Sequence, residues 1–166
     1  GEYGLVILDA DEAPLKKEFA PFVKEELLHQ TSYKQVIATV EKLKPYDIQV
    51  NPREINLFYI EDKLRERIIF ENGAYKINNT TLEFSEVEIL ALLEKNPEKF
   101  SPNVLLRPLY QEVILPNLCY IGGGGELAYW LELKSFFDAV AVPFPILLLR
   151  NSALLATQKQ NEKADK

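Results

Sequence analysis

Leu118, Cys119, Tyr120 and Ile121 run directly into four consecutive glycines, Gly122 to Gly125, which lead into Glu126, Leu127, Ala128, Tyr129 and Trp130. The pattern predicts a strand, a glycine turn and the start of a helix. Four glycines in a row remove every side chain from the turn, so its backbone is free to take positive φ values and its N–H groups are open to a ligand. In α/β folds, ligands collect where a strand hands over to a helix in this way.

The rest of the chain supplies the elements such a turn needs. Residues 3–8 read as a short apolar strand ending near Asp9, Asp11 and Glu12, and Pro14 then opens a helix at its favoured first position. Leu15, Phe19, Phe22, Val23 and Leu27 continue that helix at helical spacing, and Pro21 is expected to kink or restart it. Ser32 and Gln35 have the spacing of a capping box, with Tyr33, Val36, Ile37 and Val40 as the apolar stripe of the next helix. Residues 48–84 change to short runs at 55–60, 67–70 and 75–77, punctuated by Asn72-Gly73 and Asn78-Asn79, which are hairpin signals. Ser85 and Glu88 form a second capping box that starts a helix of roughly ten residues. Beyond it come a short helix over 108–115, a buried strand over 118–121, a helix over 125–137 and a last strand over 146–149.

Charge thins out sharply after residue 100, which marks the second half as the buried part. Alternating strands and helices there require parallel strands packed between helices, because a crossover between parallel strands needs the intervening helix. The fold class is therefore α/β with an inserted β-hairpin region. Residues 1–47 are read as core strand and helices, 48–84 as the hairpin insertion, 85–152 as helices and parallel strands carrying the glycine turn, and 153–166 as a polar helical tail. Asp9, the glycine turn and Arg150 are expected on one face, at the carboxyl ends of the strands.

Composition narrows the function. A net charge of −6 disfavours sequence-independent nucleic-acid binding, which depends on clustered Lys and Arg. One cysteine permits no internal disulfide, no run of about 18 apolar residues is present to span a membrane, and no leader-like segment is visible, so a reducing cytoplasm is expected. The absence of methionine marks Gly1 as a cut or processed end and predicts a fragment of a longer protein.

Several side chains are candidates for chemistry. The glycine turn lacks the Gly-Lys-Ser/Thr of a P-loop and, with Leu127 where a glycine is needed, fails the GxGxxG pattern. Glu126 would repel a polyphosphate, so an amine-bearing ligand or a single carboxylate suits the turn better; alternatively the glycines only allow close packing while Glu126 caps the helix. Arg107, between Leu106 and Pro108 in an apolar stretch, needs a partner: a substrate anion, Glu112, or helix carbonyls. Asn103 and Gln111 flank it, and Arg150, followed by Asn151 and Ser152, invites the same reasoning. Cys119 fits a small core residue better than a nucleophile. A single histidine, His29, suits a helix C-terminus and leaves neither a catalytic triad nor a histidine-rich metal site, so no metal is indicated.

The motif Ser101-Pro102-Asn103-Val104-Leu105-Leu106-Arg107-Pro108, then Gln111-Glu112, Leu115-Pro116, and Gly122-Gly123-x-Gly125-Glu126 with Tyr129-Trp130, resembles the bacillithiol-biosynthesis cysteine-adding enzymes. Asn51-Pro52-Arg53, Asn56-Leu57-Phe58-Tyr59 and Pro145 with Arg150-Asn151-Ser152 extend the likeness through nearly the whole chain. Glycine at 124 departs from the proline of the family pattern and makes the turn more flexible. The resemblance implies a longer protein of which this chain is the middle portion, with a partial Rossmann-like core and a coiled coil that mediates homodimerisation. It implies a ligase that joins the carboxyl group of cysteine to the amine of glucosaminyl-malate, activated by a nucleoside triphosphate such as ATP. Carried over residue by residue, it implies Arg107 and Glu126 as catalytic, and Asn103, Gly122, Gly123, Gly125 and Arg150 as substrate-binding. Two other readings stand beside it: a structural or dimer-assembly module, and a generic nucleotide-binding α/β domain.

Overall fold

A computed structural model describes residues 3, 4, 7–43 and 46–164. The strand expected over residues 3–8 includes Leu5 and Val6, which lie outside the described residues; Tyr3, Gly4, Ile7 and Leu8 are not in a strand. Asp9 starts a turn, accepting from Asp11 N–H through Oδ1 at 2.9 Å, and among the described residues no hydrogen bond joins it to the glycine turn.

Helix α1 (Ala13–His29) begins one residue before Pro14, which takes its second position, and runs unbroken through Pro21. The proline costs one backbone hydrogen bond, and the buried stripe of Phe19, Val23 and Leu27 holds the helix across the gap. After the single left-handed residue Gln30, α2 (Thr31–Lys42) follows at once. Ser32 therefore lies inside α2 and is not its cap: its hydroxyl donates to Glu26 Oε1 at 2.6 Å.

Five strands make an antiparallel sheet in the order β4-β3-β2-β1-β5: β1 (Leu57–Glu61), β2 (Leu64–Glu71), β3 (Ala74–Ile77), β4 (Glu83–Phe84) and β5 (Phe100–Pro102). The β2–β3 hairpin closes at Asn72 (φ 54°) and Gly73 (φ 80°), the positive pair a tight right-twisted hairpin requires. Between β4 and β5 lie α3 (Glu86–Lys95), started by the reciprocal Ser85–Glu88 capping box, and a 3-10 turn at Pro97–Lys99.

Three side chains tie this region together out of water. Glu26, 1% exposed, accepts from Ser32 Oγ, Asn56 N and Asn56 Nδ2 through Oε1 and from Ser32 N through Oε2. Asn56 Oδ1 in turn accepts from Asn103 Nδ2 at 2.8 Å. Burial still pushes the Glu26 carboxyl above its ordinary value, with the hydrogen bonds from Ser32 and Asn56 opposing it.

The second half runs α4 (Leu106–Ile114), β6 (Cys119–Gly122), α5 (Gly124–Leu131), α6 (Lys134–Ala139), β7 (Ile146–Leu149) and α7 (Gln158–Ala164). β6 and β7 pair in parallel, with Gly122 opposite Leu149. The helix expected over 125–137 is two helices, broken at Glu132 and Leu133, where the Glu132 carboxylate turns inward to accept from Gln49 N–H at 3.0 Å. Trp130 anchors the aromatic core of this half, stacked on Tyr120 at 4.3 Å and flanked by Phe137 and Phe144. The strand over 118–121 is found one residue later, and it is not buried: Ile121 is exposed. The expected α/β class with parallel strands and helical crossovers holds, joined to a larger antiparallel sheet.

Candidate functional site

The carboxyl ends of the two parallel strands come together at the glycine turn. Arg150, the residue after β7, donates its backbone N–H to Gly122 O at 2.9 Å, so the last residues of both strands are locked in register. None of the four glycines has positive φ; Gly123 is extended at φ −71°, ψ 165°, and Gly124 and Gly125 are already the first residues of α5. Space, and not backbone freedom, explains the first two glycines. A Cβ on Gly122 would stand 2.7 Å from Tyr120 Cε1, and one on Gly123 would stand 3.2 Å from Arg150 Nη2. Tyr120 and Gly122 lie two residues apart on the same side of β6, which is why the ring crosses the glycine.

Glu126 completes this corner as the third residue of α5. Its Oε2 accepts from Gly123 N–H at 2.7 Å and its Oε1 accepts from the Tyr120 hydroxyl at 3.1 Å. These two bonds, with Arg150 and Arg107 nearby, hold its carboxyl below the usual range, so it is a carboxylate at neutral pH. Tyr120 is pushed the other way, by burial first and by Glu126 second.

Arg107 is exposed on α4, which corrects the expectation of a guanidinium in an apolar surround. Its partners are neutral: Nη1 donates to Gln111 Oε1 and Nη2 to the Tyr129 hydroxyl, both at 3.0 Å. Glu112 is not among them; it is buried and accepts from Asn117 N and Nδ2. Tyr129 lies three residues after Glu126, on the same side of α5, so one helix carries both the carboxylate and the hydroxyl that steadies the guanidinium.

The structure thus brings Arg107, Glu126, Gly122, Gly123 and Arg150 into one neighbourhood. Gly125 sits in the first turn of α5 with open space where a Cβ would point. The Asn103 side chain is engaged elsewhere, although its carbonyl accepts the Arg107 N–H at 2.8 Å: its Oδ1 accepts from Leu105 and Leu106 N–H, opening α4, and its Nδ2 donates to Asn56. Tyr120 is the residue that sequence reasoning missed; an aromatic two positions before Gly122 was the available signal. Among the described residues no group of three or more His, Cys, Asp or Glu side chains is arranged to hold a metal, and no helix is long and apolar enough to cross a membrane.

Residues 1–151 match the family described as "Bacillithiol biosynthesis BshC, N-terminal Rossmann-like domain". The match to an N-terminal domain corrects the expectation that the chain is the middle portion of a longer protein. Curated relatives named "Putative cysteine ligase BshC" include that of Flavobacterium johnsoniae, 71% identical over 163 residues, covering 98% of this chain and 31% of the relative. The relative from Flavobacterium psychrophilum is 68% identical over 166 residues, and that from Christiangramia forsetii 60% over 168, each covering 100% of this chain and 31% of the relative. The chain therefore spans about a third of the length of the curated relatives it matches.

Proposed function

The chain belongs to the BshC family of bacillithiol biosynthesis, and from that premise we propose that it carries part of the substrate site of a cysteine ligase. The reaction joins the carboxyl group of cysteine to the amine of glucosaminyl-malate. One observation supports a site here: two guanidiniums and an ionised carboxylate lie near one another at the carboxyl ends of the parallel strands, with Arg107 hydrogen-bonded to an amide and a phenol.

A guanidinium that donates to an amide oxygen and a phenol keeps further donors for a substrate carboxylate, and its planar fork suits that geometry. Arg150 faces the same turn and adds positive charge. Glu126, kept ionised, is suited to binding the ammonium form of the amine and poorly suited to removing its proton, because a carboxyl with a lowered pKa is a weak base. Forming the amide requires the ammonium to lose two protons, one before the nitrogen attacks and one after, and the carboxyl to lose one oxygen with its activating group; a nucleoside triphosphate such as ATP would supply the activation. The glycine turn does not fit as the cradle of the triphosphate, since Glu126 already accepts from Gly123 N–H and would repel it. Asn103 serves the site indirectly, by fixing the entry of the helix that presents Arg107. The full-length protein acts in the cytoplasm, as a homodimer.

The test is product formation by the full-length protein with cysteine, glucosaminyl-malate and ATP, read by mass spectrometry, beside Arg107→Ala and Glu126→Ala. The expected result is amide from wild type and little or none from either folded variant. Undiminished product from both variants would move the site elsewhere.

A further inference from the structure

One face of the parallel pair is largely open among the described residues. Side chains alternate along each strand, and residues in register share a face. Tyr120 and Leu147 are register partners, and both pack on the core built around Trp130. On the opposite face stand two further register pairs, Cys119 with Ile146 and Ile121 with Leu148. Ile121, Ile146 and Leu148 are 66%, 67% and 51% exposed, so the pairs form one contiguous apolar patch in solvent. Parallel sheets are ordinarily covered on both faces, and a strand reading Ile-Leu-Leu-Leu has the composition of one buried on both sides.

We propose that this face is an interior interface of the full-length protein, covered by an amphipathic helix from the two thirds of the length that this chain does not span. Two facts favour that occupant over others. The relatives carry the missing length in the same polypeptide, and a Rossmann-like domain places helices on both sides of its parallel sheet. The consequence reaches the candidate site. Ile121 immediately precedes Gly122, and Leu148 lies two residues before Arg150, so a helix over this patch ends beside the glycine turn and walls the open side of the Arg107, Arg150 and Glu126 cluster. The site is complete only once that helix is seated.

The experiment measures thiol accessibility in the native full-length protein, without reference to turnover, so it stands or falls apart from the ligase reading. Leu148→Cys is compared with Val87→Cys, at a 78% exposed position on α3, by maleimide labelling read at the peptide level. Native Cys119, on the same face as Leu148, is followed in the unmodified protein as a second probe should Leu148→Cys fold poorly. The expected result is protection at 148 and 119 by about 100-fold or more relative to 87, since a covered thiol reacts only through local opening, and no change on dilution. Equal labelling at all three positions overturns the proposal. Protection that disappears on dilution overturns it too, by assigning the face to a second copy of the protein.

Discussion

The antiparallel sheet buries Leu57, Tyr59, Ile68, Tyr75, Ile77 and Phe100, whereas the parallel pair leaves Ile121, Ile146, Leu148 and Leu149 largely in solvent. The two regions differ in where their partners come from. β1 to β4 follow one another through short turns, so each strand finds its neighbour nearby in the chain, and β5 closes the other edge after a single helix. Parallel strands need a crossover for every pairing and helices on both faces, whereas here α5 packs against β7 and Ile121, Ile146 and Leu148 stay exposed. The finished region holds the structure, and the unfinished one carries the candidate chemistry.

The largest expected effect lies in the finished region. Phe100→Ala removes a fully buried ring from β5 and should cost about 3–5 kcal/mol in urea unfolding. A cost below that of a surface substitution would show that the antiparallel sheet is not the stable half.

Glu26→Gln comes next, at about 3 kcal/mol, because an amide must turn a donor toward the Ser32 or Asn56 N–H groups that the carboxylate now accepts from. It also carries a pH signature. Burial raises the folded pKa of Glu26 above its unfolded value near 4.5, so the folded state binds this proton more tightly. The stabilisation it gives is full below the unfolded pKa and lost as pH rises through the folded one. Unfolding measured between pH 4 and 7 should show this loss in wild type and not in the variant. Glu126, whose carboxyl is lowered by Gly123 N–H and Tyr120, has the opposite sign: its contribution is present above the unfolded pKa and disappears as pH falls through the folded one.

Gly122→Ala tests the parallel region by steric means. The new methyl group meets the Tyr120 ring, which is stacked on Trp130 and bonded to Glu126, so a cost of about 1–2 kcal/mol is expected, with a loss of ligase activity in the full-length protein. A variant of normal stability and activity would mean that Tyr120 moves freely.

Gly124→Pro should have the smallest effect and the opposite direction. Gly124 is the first residue of α5, its Cβ direction is open, and Gly123 before it is already extended, as a residue preceding proline must be. A gain of about 0.4–1 kcal/mol is expected from the stiffer unfolded chain. Destabilisation would show that the turn needs the freedom of glycine.

Much of this organisation was legible in the sequence where the deciding interactions are local. The Ser85–Glu88 box and the Asn72–Gly73 hairpin depend on neighbours a few residues apart and were readable from spacing alone. Pro21 and Ser32 misled because distant contacts decide them: a buried stripe carries α1 past the proline, and Glu26 and Asn56 take the serine hydroxyl out of any capping role. β5 gave no signal because three residues ending in proline become a strand only when β1 lies alongside. In the site, residue types pointed to the glycine turn and the two arginines, but not to how they are held. Glu126 as the cap of its own helix was one of the two readings its position allowed, whereas the Tyr129 hydroxyl on Arg107 and the Tyr120 hydroxyl on Glu126 depend on how the elements pack.

The most direct test of the central claim is kcat/KM for cysteine in the full-length protein, for wild type and Arg107→Ala, with and without added guanidinium. A guanidinium that binds the substrate carboxylate is worth about 10- to 100-fold, so the variant should lose that much and recover part of it when guanidinium is supplied. An unchanged kcat/KM in the folded variant would contradict the account.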